Sequence, residues 1–527
     1  MLRTQLFSDP AGRFVHDVIL ESCQRHSAKT ALIDTSCGRR VTYAEYAELV
    51  NSLARGLVSA GLAPGEIVAI FLPNSWEFAI AYHAATLAGA IPTLLNPAYR
   101  EREIRYQLEN SGAVFLITDA PLLENVNLAG LPSLRRVFTT RRERPGCESF
   151  ASLLRASPSA AKLPQPGKPS IKTIAALPYS SGTTGLPKGV MLSHHNLVAN
   201  VYQILGPNAS PFVPEDVMLC FLPLYHIYGL TLALTLPITL GATMVLMPRF
   251  DVQKLCALLA EEGVTMMPMV PPAINALCQA AEAGIFPKNH KVRWIKSGAA
   301  PLAPELARRL TDLTGISLAQ GYGMTEASPV THLGYPWPAE LNRPASIGRP
   351  VALTDCRVLD LNDNEVAPGE PGELVMRGPQ FMLGYWKEPQ ATAAVLRDGW
   401  YYSGDIVRAD AEGFYYVLDR RKEMIKYKGF PVAPAEIESV LLEHPAVRDC
   451  GVVAKPNLEA GEIPCAFVVL REGFVPSVKL DSELRTFVAD RLAHHKQPRE
   501  VRFVDAVPRT PSGKILRREL RKTLTGV

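Results

Sequence analysis

The segment Tyr179-Ser-Ser-Gly-Thr-Thr-Gly-Leu-Pro-Lys-Gly189 contains three glycines, four Ser or Thr hydroxyls and one lysine within eleven residues. Glycines let the backbone turn sharply and present its N–H groups, which together with hydroxyls and an ammonium form a cradle for phosphate oxygens. Apolar residues 174–177 precede the segment and residues 190–192 follow it, so the sequence predicts a loop between two strands. A plain hairpin is the alternative, but it needs far fewer hydrogen-bond donors. We therefore predict a polyphosphate-binding loop here.

This loop differs from two common nucleotide-binding signatures. In a Walker A loop the lysine is followed by a Ser or Thr that binds magnesium, whereas Gly189 follows Lys188 in this chain. A second glycine cluster, residues 321–326, has Glu326 where a dinucleotide-binding fingerprint has its third glycine. The sequence therefore favours neither a P-loop nucleotidase nor a nicotinamide enzyme.

The bulk composition is typical of a soluble protein with more than one domain. A chain of 527 residues is too long for a single core, and 47% hydrophobic with 20% charged residues is ordinary for globular proteins. The net charge of +4 suits polyanionic ligands but is too small to indicate nucleic acid as a partner. Nine scattered cysteines without a Cys-x-x-Cys pair predict reduced thiols in a cytoplasmic protein rather than a disulfide framework or a zinc site.

One uncharged stretch, residues 229–248, is long enough to cross a membrane. Pro237 and Gly241 interrupt it and threonine recurs through it, so we predict a buried helix to about Thr239 and then a strand at residues 243–247. A membrane anchor at this stretch is the alternative. The N-terminus lacks the apolar core of a secretory signal, and we expect no integral membrane association.

The first part of the chain alternates helical and strand patterns. Residues 42–60 have a helical apolar period with Thr42 as N-cap, and residues 76–87 form a second predicted helix. Short apolar runs at residues 68–72 and 113–118 predict buried strands. This alternation, which recurs over residues 190–340, predicts parallel sheets covered by helices.

The remaining segments predict how the chain divides. Residues 141–170 are polar and rich in Pro, Ser and Arg, which predicts a connecting loop. Short strands with Asn/Gly/Pro turns over 346–417 predict a small β-barrel or a folded sheet. The charged segment 419–423 predicts a domain boundary. We therefore predict an α/β fold: residues 1–421 form a large N-terminal domain with two α/β subdomains plus the small β-barrel, and residues 422–527 form a small α+β C-terminal domain.

Three further segments present groups that suit a nucleotide. In Gln320-Gly-Tyr-Gly-Met-Thr-Glu326, the flat ring of Tyr322 suits a purine, Thr325 offers a hydroxyl to a phosphate, and Glu326 offers hard oxygen ligands to magnesium. Trp400-Tyr-Tyr-Ser-Gly-Asp405 ends in a carboxylate, which can accept hydrogen bonds from both ribose hydroxyls. Pro508-Arg-Thr-Pro-Ser-Gly-Lys514 presents one lysine near the C-terminus. Alone, a turn tyrosine or a solvated surface charge would explain each of them.

Taken together and in this order, the motifs resemble those of the adenylate-forming superfamily of acyl-CoA synthetases, peptide-synthetase adenylation domains and luciferases. The resemblance extends from about Thr42 to Arg518 and is strongest to 4-coumarate:CoA ligase-like acyl-CoA ligases. It implies an acid–thiol ligase that uses ATP, Mg²⁺ and coenzyme A. Such an enzyme forms an acyl-adenylate and then an acyl-CoA thioester, and it releases AMP and pyrophosphate. The resemblance also implies that the C-terminal domain is mobile about a hinge near Lys422.

The resemblance assigns roles residue by residue. The implied ATP- and AMP-binding set is Ser180, Ser181, Gly182, Thr183, Thr184, Gly185, Lys188, Gly298, Ala299, Ala300, Gln320, Gly321, Tyr322, Gly323, Met324, Thr325, Asp405 and Arg420. The implied catalytic set is Lys514, His226, Thr325 and Glu326, with magnesium on Glu326. The implied CoA contacts are Lys428, Gly429 and Phe430. The implied acyl pocket is lined by Tyr228, Gly229, Thr231, Lys296, Gly298, Gly323, Pro329 and Val330.

The acyl pocket leaves the acid open. Tyr228 and Lys296 favour a hydroxycinnamate-type aryl acid such as 4-coumarate, since Lys296 matches a lysine near the coumarate hydroxyl end in the resembled ligases. Thr231 and Leu232 replace the Asn-Ser often found in plant ligases, and the less polar pocket keeps a medium-chain fatty acid as the alternative. A non-catalytic ATP/AMP-binding sensor is the alternative from another class, against which the intact set of charged residues argues. The oligomeric state is not indicated.

Overall fold

The computed structural model describes residues 12–155, 162–164, 170–180, 186–206, 212–428, 430–510 and 513–525, which form five sheets with helices packed against them. The α-helices comprise Val15–Arg25, Tyr43–Ser59, Trp76–Leu87, Glu101–Ser111, Phe150–Leu154, His194–Leu205, Ile227–Gly229, Leu236–Leu240, Val252–Glu261, Pro271–Glu282, Pro304–Thr314, Pro389–Val395, Pro434–Leu442, Val478–Ala489 and Arg517–Thr525. Short 3₁₀ helices span Ala120–Leu123, Thr325–Ala327 and His494–Lys496. All nine cysteines are free thiols.

The largest sheet has nine strands and a parallel centre. Its spatial order is Arg349–Pro350, Val330–Leu333, Ser317–Gly323, Trp294–Ser297, Met266–Met269, Val217–Cys220, Thr243–Leu246, Thr30–Asp34 and Arg39–Thr42. The six strands from Ser317–Gly323 to Thr30–Asp34 run parallel. Because parallel strands end at a common edge, the segments that follow Cys220, Ser297 and Gly321 come together there. Three of the predicted motifs thus share one edge of this sheet.

A second sheet, from the N-terminal part, is parallel throughout. Its spatial order is Ile91–Leu94, Ile67–Phe71, Phe115–Thr118, Arg136–Thr139 and Glu148–Ser149. The strand Ile67–Phe71 is buried along its whole length, which explains its continuous apolar run. The predicted N-cap is confirmed, because Thr42 Oγ1 accepts a hydrogen bond from Glu45 N at 3.2 Å. The predicted helix at 76–87 is also confirmed.

A small antiparallel sheet carries the glycine-rich loop. Its spatial order is Gly384–Tyr385, Lys188–Ser193 and Ile174–Ala176, and Tyr179–Ser180 also pairs with Lys188–Ser193. The loop therefore joins two paired strands, as predicted. Residues 181–185, at the centre of the loop, lie outside the described residues.

Residues 346–417, predicted to form a small β-barrel or a folded sheet, contribute most of an antiparallel sheet. Its spatial order is Asp355–Leu359, Gly372–Arg377, Trp400–Ala409 and Leu396–Arg397, and Tyr415–Arg420 also pairs with Trp400–Ala409. Among the described strands, Asp355–Leu359 pairs with Gly372–Arg377 alone and lies at the end of the sheet, and Leu359 also forms an isolated bridge with Glu365. This edge strand exposes the charged side chains of Asp355 and Arg357, a common way to keep a sheet edge unpaired.

The C-terminal part has a sheet and a core of its own. The sheet contains Phe430–Val432, Ile425–Tyr427, Gly461–Leu470 and Val447–Asn457 in spatial order, and Glu500–Phe503 lies parallel to Gly461–Leu470. Ile425, Ile437 and Leu441 belong to a hydrophobic cluster separate from the cluster of the N-terminal part, which reaches Tyr415. The chain thus has a large N-terminal and a small C-terminal domain.

The segment 141–170 contains more structure than its polar composition predicts. Glu148–Ser149 is a strand of the second parallel sheet, and Phe150–Leu154 is a short helix. Phe150 and Leu153 are only 2% and 4% exposed. Two buried apolar side chains anchor the helix here, so the prediction of an unbroken loop is wrong over these residues.

The uncharged stretch 229–248 is a buried helix followed by a strand, as predicted. A π-helical segment, Leu230–Thr235, continues into Leu236–Leu240, and Thr243–Leu246 is an interior strand of the nine-stranded sheet. Within the described ranges, every helix is too short or too polar to cross a membrane.

Gly56 tests the packing that orders the 150–154 helix. A Cβ on Gly56 would overlap the backbone carbonyl of Leu153. We expect Gly56→Ala to lower the free energy of unfolding by about 1–3 kcal/mol, the usual cost of overpacking. Denaturant unfolding would measure it, with Ser59→Ala, an exposed position of the same helix, as the control. A Gly56→Ala variant as stable as this control would contradict the close contact.

Candidate active site

Glu326 is where three chain segments of the N-terminal domain meet. It lies in the 3₁₀ helix Thr325–Ala327 and is only 8% exposed. Its Oε1 accepts hydrogen bonds from Ser180 Oγ at 3.1 Å and from Tyr385 Oη at 2.8 Å. Burial and the nearby Glu326 carboxylate raise the pKa of Tyr385, so its phenol stays protonated and keeps donating. The carboxylate is thereby fixed beside the glycine-rich loop.

Tyr385 is a site residue that the sequence reasoning missed. The ammonium of Lys188 lies 5.3 Å from the centroid of its ring, a cation–π contact. Tyr385 belongs to the short strand that pairs with Lys188–Ser193, opposite Val190. The sequence around Tyr385, Gly-Tyr-Trp-Lys, contains no pattern that marks a binding site. Tyr385 reaches the site only because its strand pairs with residues almost two hundred positions earlier in the chain.

Tyr322, Asp405 and Arg420 form a second cluster. Tyr322 donates a hydrogen bond to Asp405 Oδ2, and Arg420 Nε lies 3.0 Å from Asp405 Oδ1. The two charged residues face each other across paired strands, in register. Burial and the Asp405 charge raise the pKa of Tyr322 well above its usual value. The cluster places an aromatic ring, a carboxylate and a guanidinium side by side.

Asp405 keeps unused acceptor capacity. It is 4% exposed, and its Oδ1 accepts no hydrogen bond from the part of the chain that the structure describes, although the Arg420 charge lies beside it. A buried carboxylate oxygen without a donor is costly unless a ligand supplies one. The site therefore fits a ligand with hydroxyl groups at this point.

Lys514 comes to this cluster from the C-terminal domain. Its side chain is exposed, and its charge interacts with Arg420, Asp405, Glu326 and His226. Partial desolvation and the nearby Arg420 lower the pKa of Lys514 to about 8, although the two carboxylates oppose this shift. The C-terminal domain is thus docked with its lysine facing the N-terminal site.

Hydrogen bonds position the described residues beside Lys514, and Gly513 lies against the N-terminal domain. Lys514 N donates to Thr510 Oγ1 at 3.1 Å, and Arg509 Nη1 donates to Gly513 O at 2.7 Å. A Cβ on Gly513 would lie 2.8 Å from Cδ of Pro272, the second residue of helix Pro271–Glu282. Gly513, at φ +84°, also has a backbone conformation that favours glycine. Close approach and turn geometry both require glycine here.

His226 lies at the start of the helical segment after the strand Val217–Cys220. Its Nδ1 accepts a hydrogen bond from Tyr228 N at 3.2 Å and so caps that segment. Burial, with a smaller effect from the Lys514 charge, lowers the pKa of His226 to about 4. The imidazole is therefore neutral at physiological pH. Since Nδ1 accepts, Nε2 carries the proton and can donate to a ligand.

Tyr228 and Lys296 are buried next to each other in the predicted acyl pocket. Tyr228 Oη donates to Lys296 O at 3.1 Å, and Lys296 Nζ donates to Gly334 O at 2.8 Å. Lys296 is 1% exposed, and its ammonium lies 5.1 Å from the centroid of the Trp294 ring. Burial lowers the pKa of Lys296 to about 7.

Two glycines let the backbone approach this pair closely, because a Cβ at either position would contact it. A Cβ on Gly298 would lie 3.0 Å from Cζ of Tyr228, and a Cβ on Gly321 would lie 3.5 Å from Cδ of Lys296. Thr231 Oγ1 donates to Ser328 O at 2.9 Å, so its hydroxyl is already used within the protein. The wall near Thr231 is consequently less polar than its composition indicates.

Several predicted nucleotide residues have structural hydrogen bonds. Gln320 Nε2 donates to Pro344 O at 2.6 Å and its Oε1 accepts from Leu302 N at 3.3 Å, so its amide is engaged. Met324 N donates to Pro329 O at 3.0 Å. Ala299, at φ +68°, has the left-handed backbone of a tight turn. These residues shape the loops, and whatever contact they make with a nucleotide comes from their backbone or remaining atoms.

Of the predicted CoA and hinge residues, the structure describes the side chains of Lys428 and Lys422, and neither contacts this cluster. Lys428 is exposed, and its backbone N donates to Ala460 O at 2.8 Å within the C-terminal domain. Gly429 and the side chain of Phe430 lie outside the described residues. Lys422 is an exposed turn residue between the two domains.

Family models match both domains. A model of the AMP-binding enzyme family matches residues 19–386, and a model of the AMP-binding enzyme C-terminal domain matches residues 436–514. The chain is 39% identical to 4-coumarate–CoA ligase 5 of Oryza sativa subsp. japonica over 518 residues, which cover 97% of this chain and 94% of that protein.

Solved structures give the same likeness. The anthranilate CoA ligase AuaEII in complex with anthranoyl-AMP has a TM-score of 0.87 at 26% identity, with 97% of each chain covered. The o-succinylbenzoate coenzyme A synthetase of Bacillus subtilis in complex with ATP and magnesium ion has a TM-score of 0.81 at 29% identity, covering 96% of this chain and 99% of that one. With both domains matched and a relative similar over nearly the full length, this chain belongs to the AMP-binding enzyme family, the adenylate-forming superfamily that its motifs resemble.

Proposed function

We propose that this protein is an ATP-dependent, AMP-forming acid–CoA ligase whose acid is a hydroxycinnamate-type aryl acid such as 4-coumarate. One observation supports the activity above all: Lys514 from the C-terminal domain faces a site that combines Glu326, Asp405, Arg420 and a neutral histidine. Each group suits one part of Mg-ATP or of a carboxylic acid. The free thiols fit a cytoplasmic location, where cysteines stay reduced.

The adenosine of ATP fits the Tyr322 cluster. The ring of Tyr322 stacks on adenine, and Asp405 accepts hydrogen bonds from the ribose hydroxyls with the oxygen that lacks a donor. Arg420 forms an ion pair with this carboxylate, and its guanidinium offers further N–H donors to the ligand. The phosphates then extend toward Lys188 and the glycine-rich loop.

Glu326 is the carboxylate that would hold magnesium. Mg²⁺ in such sites is typically bound by one or two carboxylates together with substrate phosphates and water, and it neutralises phosphate charge. Within the described ranges no group of three or more His, Cys, Asp or Glu side chains could hold a metal alone. Glu326 with the phosphates of ATP fits this mode, and Ser180 and Tyr385 fix its orientation.

The first step forms the acyl-adenylate. A carboxylate oxygen of the acid attacks the α-phosphorus of ATP, the bond from that phosphorus to the bridging oxygen breaks, and pyrophosphate leaves. The carboxylate is already a nucleophile, so no general base is needed, and neutral His226 serves as a hydrogen-bond donor to it. Lys514 stabilises the negative charge that develops at the α-phosphate.

The second step requires the C-terminal domain to turn. The thiol sulfur of CoA attacks the acyl carbonyl, the bond between the carbonyl carbon and the AMP oxygen breaks, and the thiol proton passes to solvent. Arg421 is tied to Glu373 of the N-terminal domain at 2.7 Å, and Glu423 is tied to Arg521 of the C-terminal domain. Lys422, exposed between these anchors, is the pivot, and rotation about it withdraws Lys514 and brings Lys428, Gly429 and Phe430 to the site.

The buried pair Tyr228 and Lys296 supports an aryl acid with a hydroxyl group. A buried ammonium whose pKa is about 7 gains from an acceptor or from an acidic phenol at the end of the acyl pocket. A medium-chain fatty acid would leave this group without a ligand partner. The relatives fit this choice, since the curated ligase is named for 4-coumarate and the solved one for anthranilate.

Thioester formation with a panel of acids tests the function. The purified protein, ATP and CoA would be incubated with 4-coumarate, cinnamate, benzoate, octanoate and palmitate, with mass spectrometry of the products. We expect 4-coumaroyl-CoA and AMP as the main products. A preference for octanoate would make the protein a fatty acyl-CoA ligase, and ATP binding without AMP formation from any acid would favour a sensor.

Lys296→Met tests the hydroxyl subsite. Methionine retains the apolar stem but removes the ammonium, so kcat/KM for 4-coumarate should fall roughly tenfold or more relative to cinnamate, the value of a charged hydrogen bond. Because octanoate lacks the hydroxyl, its kcat/KM should not fall. Equal losses for all three acids would contradict a specificity role for Lys296.

Lys514→Ala tests whether Lys514 is required for acyl-AMP formation but not for thioester formation. Acyl-AMP formation should fall about 10²–10³-fold, whereas thioester formation from supplied acyl-AMP should remain. Pre-steady-state measurement of each half-reaction separates the two. Equal loss in both half-reactions would contradict the proposed rotation.

The pKa of Lys514 gives the pH dependence of adenylation. The ammonium is charged below about pH 8 and neutral above it, so kcat/KM for ATP should decline as the pH rises through about 8. In Lys514→Arg, the guanidinium stays charged to much higher pH, and the residual activity should not decline in this range. A decline in both proteins at the same pH would assign it to another group.

A further inference from the structure

The helix Pro434–Leu442 of the C-terminal domain begins without an N-cap of its own. Its N-cap residue, Ala433, has no side-chain acceptor. The N–H of Ala435, in the first turn, donates instead to Asp419 Oδ2 at 2.8 Å. Asp419 lies in the strand Tyr415–Arg420 of the N-terminal domain. A carboxylate at a helix N-terminus both satisfies a free N–H and interacts favourably with the helix dipole.

This hydrogen bond, the interdomain cap, joins the two sides of the pivot. Asp419 precedes Lys422 in the chain and Ala435 follows it, and each belongs to the rigid structure of its own domain. Asp419 is only 6% exposed, and its Oδ1 is occupied by Arg420 N at 2.7 Å. The carboxylate is thus fixed on the N-terminal side, directly beside the residue that pairs with Asp405.

On the C-terminal side, the capped helix is connected to the lysine loop. Glu438, one turn after Ala435, forms a buried bidentate ion pair with Arg517, whose Nη2 lies 3.1 Å from Glu438 Oε2. Arg517 also donates to Val452 O at 2.8 Å. Arg517 is the first residue of the last helix and lies three residues after Lys514. A short series of ordered contacts therefore runs from Asp419 to Lys514.

We propose that Asp419 is a positioning residue for adenylation, because the interdomain cap selects the docked arrangement in which Lys514 faces the ATP site. The inference rests on the proposed ligase function and on its domain rotation. When the C-terminal domain turns about Lys422, the helix N-terminus moves relative to the strand and the cap is lost. Asp419 thus stabilises the arrangement for acyl-AMP formation and opposes the rotation that precedes thioester formation.

Asp419→Ala separates the two half-reactions. Loss of a charged helix cap predicts about a 5- to 20-fold fall in acyl-AMP formation in the absence of CoA. Thioester formation from supplied acyl-AMP should be unchanged or faster. Asp419→Asn keeps one carbonyl acceptor, so it should restore much of the adenylation rate.

Ser477→Ala is the matched control. Ser477 caps the helix Val478–Ala489 in the same domain, with its Oγ accepting from Leu480 N at 3.1 Å, but that cap does not cross the pivot. Its loss should leave the ratio of the two half-reactions unchanged. If Asp419→Ala reduced both half-reactions equally, or matched Ser477→Ala, the cap would be only structural and the proposal would be overturned.

The rate of cleavage by trypsin measures how often the C-terminal domain is undocked, and it does so independently of catalytic activity. The exposed basic pair Arg421 and Lys422 should be cut faster in Asp419→Ala than in the wild type or in Ser477→Ala, since an undocked domain opens the pivot. Unchanged cleavage would overturn the proposal. If the wild type formed no acyl-AMP from any acid, the ligase function would fail, and the cleavage rates alone would decide whether Asp419 docks the domain.

Discussion

The ion pair between Asp405 and Arg420 is the interaction on which the site depends. The two residues face each other on adjacent strands, so the register of one antiparallel sheet determines where the charges meet. The pair orients the Tyr322 ring through its phenol. Desolvation, and to a smaller extent the Arg420 guanidinium, lowers the pKa of Lys514 in the docked C-terminal domain. A change in this register would move the ring, the carboxylate and the pivot together, because Arg420 lies two residues before Lys422.

Burial controls which of these groups carry charge. His226 is neutral and Tyr322 and Tyr385 stay protonated, so they act as hydrogen-bond donors rather than as bases. A reaction that starts from a carboxylate and a polyphosphate needs no base, but it does need compensation of accumulated negative charge. In the proposed mechanism the compensating charge is Lys514, and its place on the separate C-terminal domain would let the protein remove that charge once the adenylate has formed.

Much of this organisation could be predicted from the sequence. The helices at 43–59 and 76–87 follow from apolar period and caps, and the glycine-rich loop between strands follows from its flanking apolar runs. Structure that depends on contacts between distant segments could not be predicted. The helix at 150–154 packs closely against Gly56, about a hundred residues earlier. The edge of the antiparallel sheet is determined by which strands pair, and composition does not indicate this. The contacts of Tyr385 and Asp419 could not be predicted for the same reason, since each residue is hydrogen-bonded to a distant part of the chain.

The most direct test follows the oxygen atoms of the acid. If the carboxylate attacks the α-phosphorus, 4-coumarate labelled with ¹⁸O in both carboxyl oxygens must transfer one heavy oxygen to AMP when the thioester forms. Mass spectrometry of AMP after a single turnover with ATP and CoA measures this transfer. One ¹⁸O atom in AMP, with none in pyrophosphate, is the result that the acyl-adenylate mechanism predicts. Unlabelled AMP beside labelled pyrophosphate or phosphate would contradict it.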